Sequence, residues 1–379
     1  MAQDNMADNM AKNMAHSTRH RVIQWSTGNV GTHALHGIIT HPDLELAGLW
    51  VHSPTKAGRD AGELCGLPPT GVTASNDVDE VLALDADVVC YTATADLRPG
   101  EAVDDLCRIL AAGKNVVSSS LVMLVHPPAD QTGWAQKITA ACEEGGVSCF
   151  TSGIDPGWAN DILPLLLTGT CERVDSVRVQ EVLNYATYNQ PEVLFGTMGF
   201  GQPLDATPIL LIPGALSMAW GGTVHAIADG LGVELEEVRE VHERLPAPTT
   251  FSIKSGTVEE GTTAALRFEV QGIVDGEPRI VVEHVTRLRD DLAPDWPQHP
   301  HGGGYRVDIT GSPSYRVDLS MEGPDGDENT GGLISTAMRL LNAIPAVVDA
   351  APGMLGPLDL PLVTGRHVMP HGAGAGAEA

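Results

Sequence analysis

Residues 21–37 read RVIQWSTGNVGTHALHG. An apolar run carrying Val22, Ile23 and Trp25 gives way to Ser26-Thr27-Gly28-Asn29-Val30-Gly31, and a segment of helical character follows to Gly37. A strand, a tight glycine turn and a helix make a corner where backbone N–H groups and the positive end of the helix dipole face outward. That is the chemistry of phosphate binding. The spacing departs from G-x-G-x-x-G at one place, because Ser26 stands at the first glycine. Gly28 still lets a pyrophosphate approach the backbone, and Gly31 still lets the helix press against the strand. In a chain with 42 glycines the turn alone is a weak signal, and its context is what strengthens it.

Further apolar runs occupy 44–51 and 86–91. A helix is expected at 102–112, a strand at 115–119, a helix at 131–144 and a strand at 147–151. Strands alternating with helices predict right-handed parallel crossover units. The expected fold class is α/β, with an N-terminal Rossmann dinucleotide-binding domain over 20–155. Ile154-Asp155-Pro156-Gly157 is a turn, and the pattern changes after it. A helix is expected over 157–168 and a strand over 174–185, then a long Gly- and Pro-rich loop over 186–212. A helix over 213–230 stops at Gly230 or Gly232. Leu266, Phe268 and Val270 alternate with Arg267, Glu269 and Gln271, which marks a half-buried strand. Asp275-Gly276 turns it back into 278–288. The echo YRVDIT (305–310) and YRVDLS (315–320), split by Gly311-Ser312-Pro313, predicts a second hairpin. An apolar helix interrupted at Pro345 covers 331–350. A C-terminal α+β domain of mostly antiparallel sheet is therefore expected over 156–330, with 331–365 packing back on the first domain. The low-complexity ends, 1–19 and 366–379, are expected to be disordered tails.

A length of 379 residues suggests roughly two domains. The net charge of -27, from 49 acidic and 22 basic residues, argues against nucleic acid and anionic membrane as partners. The six cysteines show no C-x-x-C and no metal spacing, as expected of reduced core thiols in a cytoplasmic protein. No apolar stretch approaches the roughly 20 residues of a membrane span. The N-terminal segment lacks the apolar core of a signal peptide.

An acidic residue some 20 positions past the glycines would bind the ribose diol of NAD. Here the second strand ends in Val51-His52-Ser53-Pro54-Thr55-Lys56, with Arg59 behind it. A hydroxyl and two cations stand where a 2′-phosphate would lie, so NADP(H) is expected over NAD(H). Among proton-transfer candidates, His126 has a pKa range suited to acid or base work, or is a loop histidine before Pro127. Asp155 faces the domain junction or braces its own turn. Glu283 and His284 are adjacent on a strand and face opposite sides, with His284 on the core side. His299 and His301 lack a third clustered ligand, so no metal site is expected. Ser118, Ser119 and Ser120 have no activating partner and fit hydrogen bonds to cofactor or loop.

Several blocks resemble the 2,4-diaminopentanoate dehydrogenase and native amine dehydrogenase family, within the dihydrodipicolinate-reductase-like superfamily. They are STGNVG (26–31), DAGELCGL (60–67), AAGKNVVS (111–118), SGIDPGW (152–158), VEHV (282–285), ITGSP (309–313) and NAIPAVVDAAPGML (342–355) with DLP (359–361). The resemblance implies a nicotinamide cofactor, a homodimer, and ketone, imine or amine substrates. Thr92, Ala93 and Thr94 match the segment that approaches the cofactor ribose and nicotinamide. Tyr188 falls where the family places an aromatic residue near substrate. One departure matters. The family glutamate that follows the GKNV strand and serves ammonia chemistry is missing, since residues 118–127 read SSSLVMLVHP and its place falls near Leu121 or Val122. The expected activity is therefore reduction of C=O or C=N in a small, fairly apolar substrate. Its expected pocket includes Leu121, Met123, Tyr188 and His284. The alternatives are an amine dehydrogenase whose proton-transfer role has moved to His126 or Asp155, and an NADP(H)-binding sensor without catalysis.

Overall fold

A computed structural model describes residues 19–95 and 98–369. Of the expected tails, 1–19 and 366–379, residues 1–18 and 370–379 lie outside the described residues. The first sheet is built from β1 (His20–Trp25), β2 (Leu44–Trp50), β3 (Ala74–Ser75), β4 (Val88–Tyr91), β5 (Asn115–Ser118) and β6 (Ser148–Thr151). They lie in the order 3-2-1-4-5-6, all parallel, which is the doubly wound dinucleotide-binding order. Sequences such as VVCY and SCFT are buried along their whole length, because helices cover both faces of a parallel sheet. The switch point falls between β1 and β4, directly above the glycine corner.

The longer helices are α1 (Asn29–Thr40), α2 (Pro99–Ala111), α3 (Trp134–Gly145), α4 (Ala215–Leu231) and α5 (Glu328–Val348). The second sheet contains β7 (Arg173–Asn184), β8 (Glu237–Pro246), β11 (Thr263–Val274), β12 (Glu277–Arg287), β13 (Gly304–Ser312) and β14 (Tyr315–Leu319). A two-stranded ribbon, β9 (Phe251–Ile253) with β10 (Gly256–Val258), stands apart. The second sheet runs 14-13-7-12-11-8, and only β7 with β12 is a parallel pair. Asp275 and Gly276 both take positive φ (52° and 74°), the conformation a two-residue hairpin turn needs. Helix α4 crosses one face of this sheet and ends at Gly232 in the left-handed region.

Three expectations need correction. Residues 186–212 are not a bare loop. They form helical turns at Glu192–Thr197 and Ile209–Leu211, and bury Leu194, Phe200, Leu210 and Leu211 in the second core. Pro345 does not interrupt α5. Proline costs the helix one hydrogen bond, but burial of Ile344 and Val347 carries it on to Val348. Finally, α5 is long and apolar enough by length and composition to cross a membrane. In this fold its apolar side, with Ala337, Leu340, Leu341 and Ile344, packs on Val22, Ile38, Val117 and Phe150 of the first sheet and α1.

The chain end then adds β15 (Gly353–Leu355), a seventh parallel strand beside β6. Too short to carry a sequence signal, it was not expected. None of the six cysteines is paired, and burial pushes the thiols of Cys90 and Cys142 up to about 12.

Candidate active site

The glycine corner has the geometry a pyrophosphate requires. Ser26 adopts φ +80°, the conformation for which glycine is the usual residue. A Cβ on Gly28 would meet nothing within 4 Å, so the turn opens outward there. A Cβ on Gly31 would lie 2.4 Å from the Ser26 carbonyl oxygen and 2.6 Å from Thr92 Oγ1, so only glycine lets α1 seat on β1 and β4. The amino end of α1 has no side-chain cap and no acid in its first turn, leaving its N–H donors and dipole for an anion. Thr92 ties the strand ends together: its hydroxyl donates to the Trp25 carbonyl at 3.0 Å and accepts from Gln24 Nε2 at 2.8 Å.

Of the remaining cofactor candidates, Lys56 reaches this corner. Lys56 Nζ donates to the Thr27 carbonyl at 2.9 Å and contacts its Oγ1 at 3.0 Å. Ser53 Oγ meets Thr55 Oγ1 at 2.9 Å, and His52, Arg59 and Thr94 are exposed. The carboxylate of Asp60 is already committed to the N–H groups of Gly62, Thr70 and Gly71. Asn29 Nδ2 lies 3.4 Å from the Asn189 carbonyl. Ser118 is buried, and its Oγ accepts from the Ser120 N–H at 3.0 Å, while the Ser120 hydroxyl donates to the Ala93 carbonyl.

The titratable core of the site comes from a row across the second sheet. Tyr305 on β13 stands opposite Glu181 on β7, Glu181 opposite His284 on β12, and His284 opposite Phe268 on β11. Partners in register face the same side. Tyr305 and Tyr185 donate to the two oxygens of Glu181, each at 2.7 Å. Glu181 Oε1 lies 3.4 Å from His284 Nδ1. On the other side of the ring, His284 Nε2 is 3.1 Å from Asp155 Oδ2, and Trp220 Nε1 donates to Asp155 Oδ1 at 2.8 Å. Phe268 stacks on the imidazole with centroids 4.6 Å apart, and Trp220 meets it edge-on at the same distance.

These three charged side chains are nearly buried, at 2–6% exposure. Burial alone would lower the His284 pKa, but the negative charges of Asp155 and Glu181 overcome it and raise it to about 10. Burial pushes Glu181 up, while the imidazolium and the phenol hydrogen bonds pull it further down, to a net value below the usual range. Burial and the adjacent Glu181 push Tyr305 well above 10, so it acts as a neutral donor. The array therefore holds a protonated imidazole between two carboxylates and is net negative. Asp155, Glu181 and His284 also form the group, among the described residues, whose ligand atoms lie within 4.8 Å of one another. With a carboxylate facing each ring nitrogen, the imidazole is held from both sides.

Asp155, Glu181, Tyr188 and Tyr305 open onto a cavity of about 230 Å³, which also touches Val30 of the glycine corner and Ser119 after β5. The structure thus brings together Asp155, His284, Tyr188 and the dinucleotide corner. It does not bring His126 there. His126 Nε2 pairs with Asp229 at 2.6 Å, in a groove beside His225. Leu121 is buried in the core of the first sheet, and Met123 lines another groove against α4. Glu181, Tyr185, Tyr305 and Trp220 were not foreseen. A signal did exist for two of them: Glu181 continues the buried phase of Val177 and Val179, and Tyr305 that of Val307 and Ile309.

Residues 158–369 match the family of the 2,4-diaminopentanoate dehydrogenase C-terminal domain. An amine dehydrogenase of Streptomyces virginiae is 45% identical over 346 residues, covering 90% of this chain and 96% of that protein. The 2,4-diaminopentanoate dehydrogenase of Acetoanaerobium sticklandii is 28% identical over 294 residues, covering 77% of this chain and 78% of its own. The solved structure of an amine dehydrogenase from Mycobacterium smegmatis shares the fold, with a TM-score of 0.75 at 20% identity over 92% of this chain and 98% of that one.

Proposed function

The chain belongs to the 2,4-diaminopentanoate dehydrogenase family, and from that premise we propose that it interconverts a small ketone and its amine, with Asp155 as the proton-transfer group. It is an oxidoreductase of amines or carbonyls that uses a nicotinamide dinucleotide. The glycine corner fits that cofactor, which when bound supplies or accepts the hydride. The observation that carries the amine reading is the net negative array of Asp155, His284 and Glu181, whose two carboxylates line the cavity. A negative wall favours ammonium, a protonated amine or an iminium over a neutral carbonyl alone.

In this reading Asp155 accepts a proton from the attacking nitrogen and returns one to the departing hydroxyl. Trp220 and His284 hold its carboxylate in place, and Glu181 keeps the imidazole charged and oriented. This supplies the carboxylate that residues 118–127 lack. Val30, Ile154, Leu183 and Leu333 give the same cavity an apolar side, which suits a small aliphatic ketone. For the cofactor we propose NADP(H): no free carboxylate ends β2, Asp60 is committed to its own loop, and Arg59 and Ser53 stand where a 2′-phosphate would lie.

The test is NADPH consumption with a panel of neutral ketones, at high ammonia and at none. Turnover is expected only with ammonia. Asp155→Asn is expected to lower it about 10²-fold or more, the usual contribution of a positioned acid or base, and His126→Ala to leave it unchanged. Equal turnover without ammonia would establish carbonyl reduction instead, the reading that the missing glutamate favours.

A further inference from the structure

Behind the turn that carries Asp155 lies a second cavity, of about 270 Å³. Ile154 belongs to both, with the catalytic cavity on one side and this one on the other. Its walls are largely apolar: Trp158, Leu319, Met321, Met338 and Val363. Arg339 projects into it from α5 and is only 9% exposed. The guanidinium lies over the Phe150 ring, 5.2 Å from its centroid. Its one hydrogen bond among the described residues is from Nε to the Ser152 hydroxyl, at 3.4 Å. Asp161 acts on it through space without forming an ion pair.

A buried guanidinium has five N–H donors and a fixed charge, and burying it with one neutral partner is costly. Its planar fork matches a carboxylate, which would both neutralise and satisfy it. The cavity offers that group an apolar enclosure of limited length. We infer that this second cavity binds a small organic acid, with its carboxylate on Arg339 and a short hydrocarbon body among Trp158, Met321 and Met338. The occupant is a free monocarboxylate. The inference is independent of the dehydrogenase chemistry.

Isothermal titration calorimetry of the full chain with hexanoate and with hexanamide tests it. Hexanoate is expected to bind one to one, at least tenfold tighter than the amide. Arg339→Gln is expected to erase that preference, and Met321→Trp to block both ligands by filling the cavity. Asp155→Asn is expected to leave hexanoate binding intact, which separates this site from the catalytic one. Equal affinity for acid and amide, binding lost with Asp155→Asn but kept with Arg339→Gln, or no binding of hexanoate would overturn the inference.

Discussion

His284 stays charged through the neutral range because a carboxylate faces each ring nitrogen. Its folded pKa, near 10, stands above the ordinary 6.5. The stabilisation that this proton brings is therefore complete below about pH 6.5 and is lost as pH rises toward 10. Glu181 works in the opposite sense: its pKa is held low, so its contribution is present above the ordinary carboxylate range and lost in acid. Urea unfolding measured between pH 6 and 10 is expected to show stability falling from about pH 6.5 upward. The fall is expected to vanish in His284→Asn. A profile that is flat in the native protein would mean that the imidazole is neutral, and Asp155 would then lack the charged partner assigned to it.

At the scale of elements, the glycine corner trades one glycine for Ser26 in a conformation that costs an L residue roughly 1–2 kcal/mol. Ser26→Gly is expected to raise stability by about 1 kcal/mol, after the greater freedom of unfolded glycine is set against it, as a shift of urea midpoint at constant slope. No gain would mean that the Ser26 side chain makes a compensating contact. Gly31→Ala is expected to abolish dinucleotide binding, because the new methyl would press on the Ser26 backbone oxygen, which cannot swing aside as a side chain can. Equilibrium dialysis with NADPH reads this directly. The corner was legible in the sequence because strand, turn and helix are contiguous there. So were both hairpins and the opposed faces of Glu283 and His284, where Glu283 meets Arg178 and Arg267 on the side away from Asp155. The array was not legible as a unit. Glu181, His284 and Tyr305 meet only through the register of β7 between β12 and β13, and register depends on pairings far apart in the chain. His126 looked apt by residue type and lies elsewhere, because the loop after β5 turns it toward Asp229 on α4.

At the scale of the whole molecule, the end of the chain completes the beginning. Helix α5 covers the first sheet and β15 extends it beyond β6, so the first core is assembled from both ends of the chain. A single calorimetric transition is expected, with matching calorimetric and van't Hoff enthalpies, and residues 19–155 alone are not expected to fold stably. Two separable transitions would show that the halves are independent. Thr336 on α5 belongs to the same arrangement, since its hydroxyl accepts the Ile154 N–H at 3.2 Å and so anchors the turn that bears Asp155. During synthesis the dinucleotide corner is made long before α5, whereas the proton-handling wall cannot be fastened until Thr336 has left the exit tunnel. A chain that stops short of α5 therefore lacks both the completed first core and an anchored reaction wall, and cannot drain reducing power from the nucleotide pool.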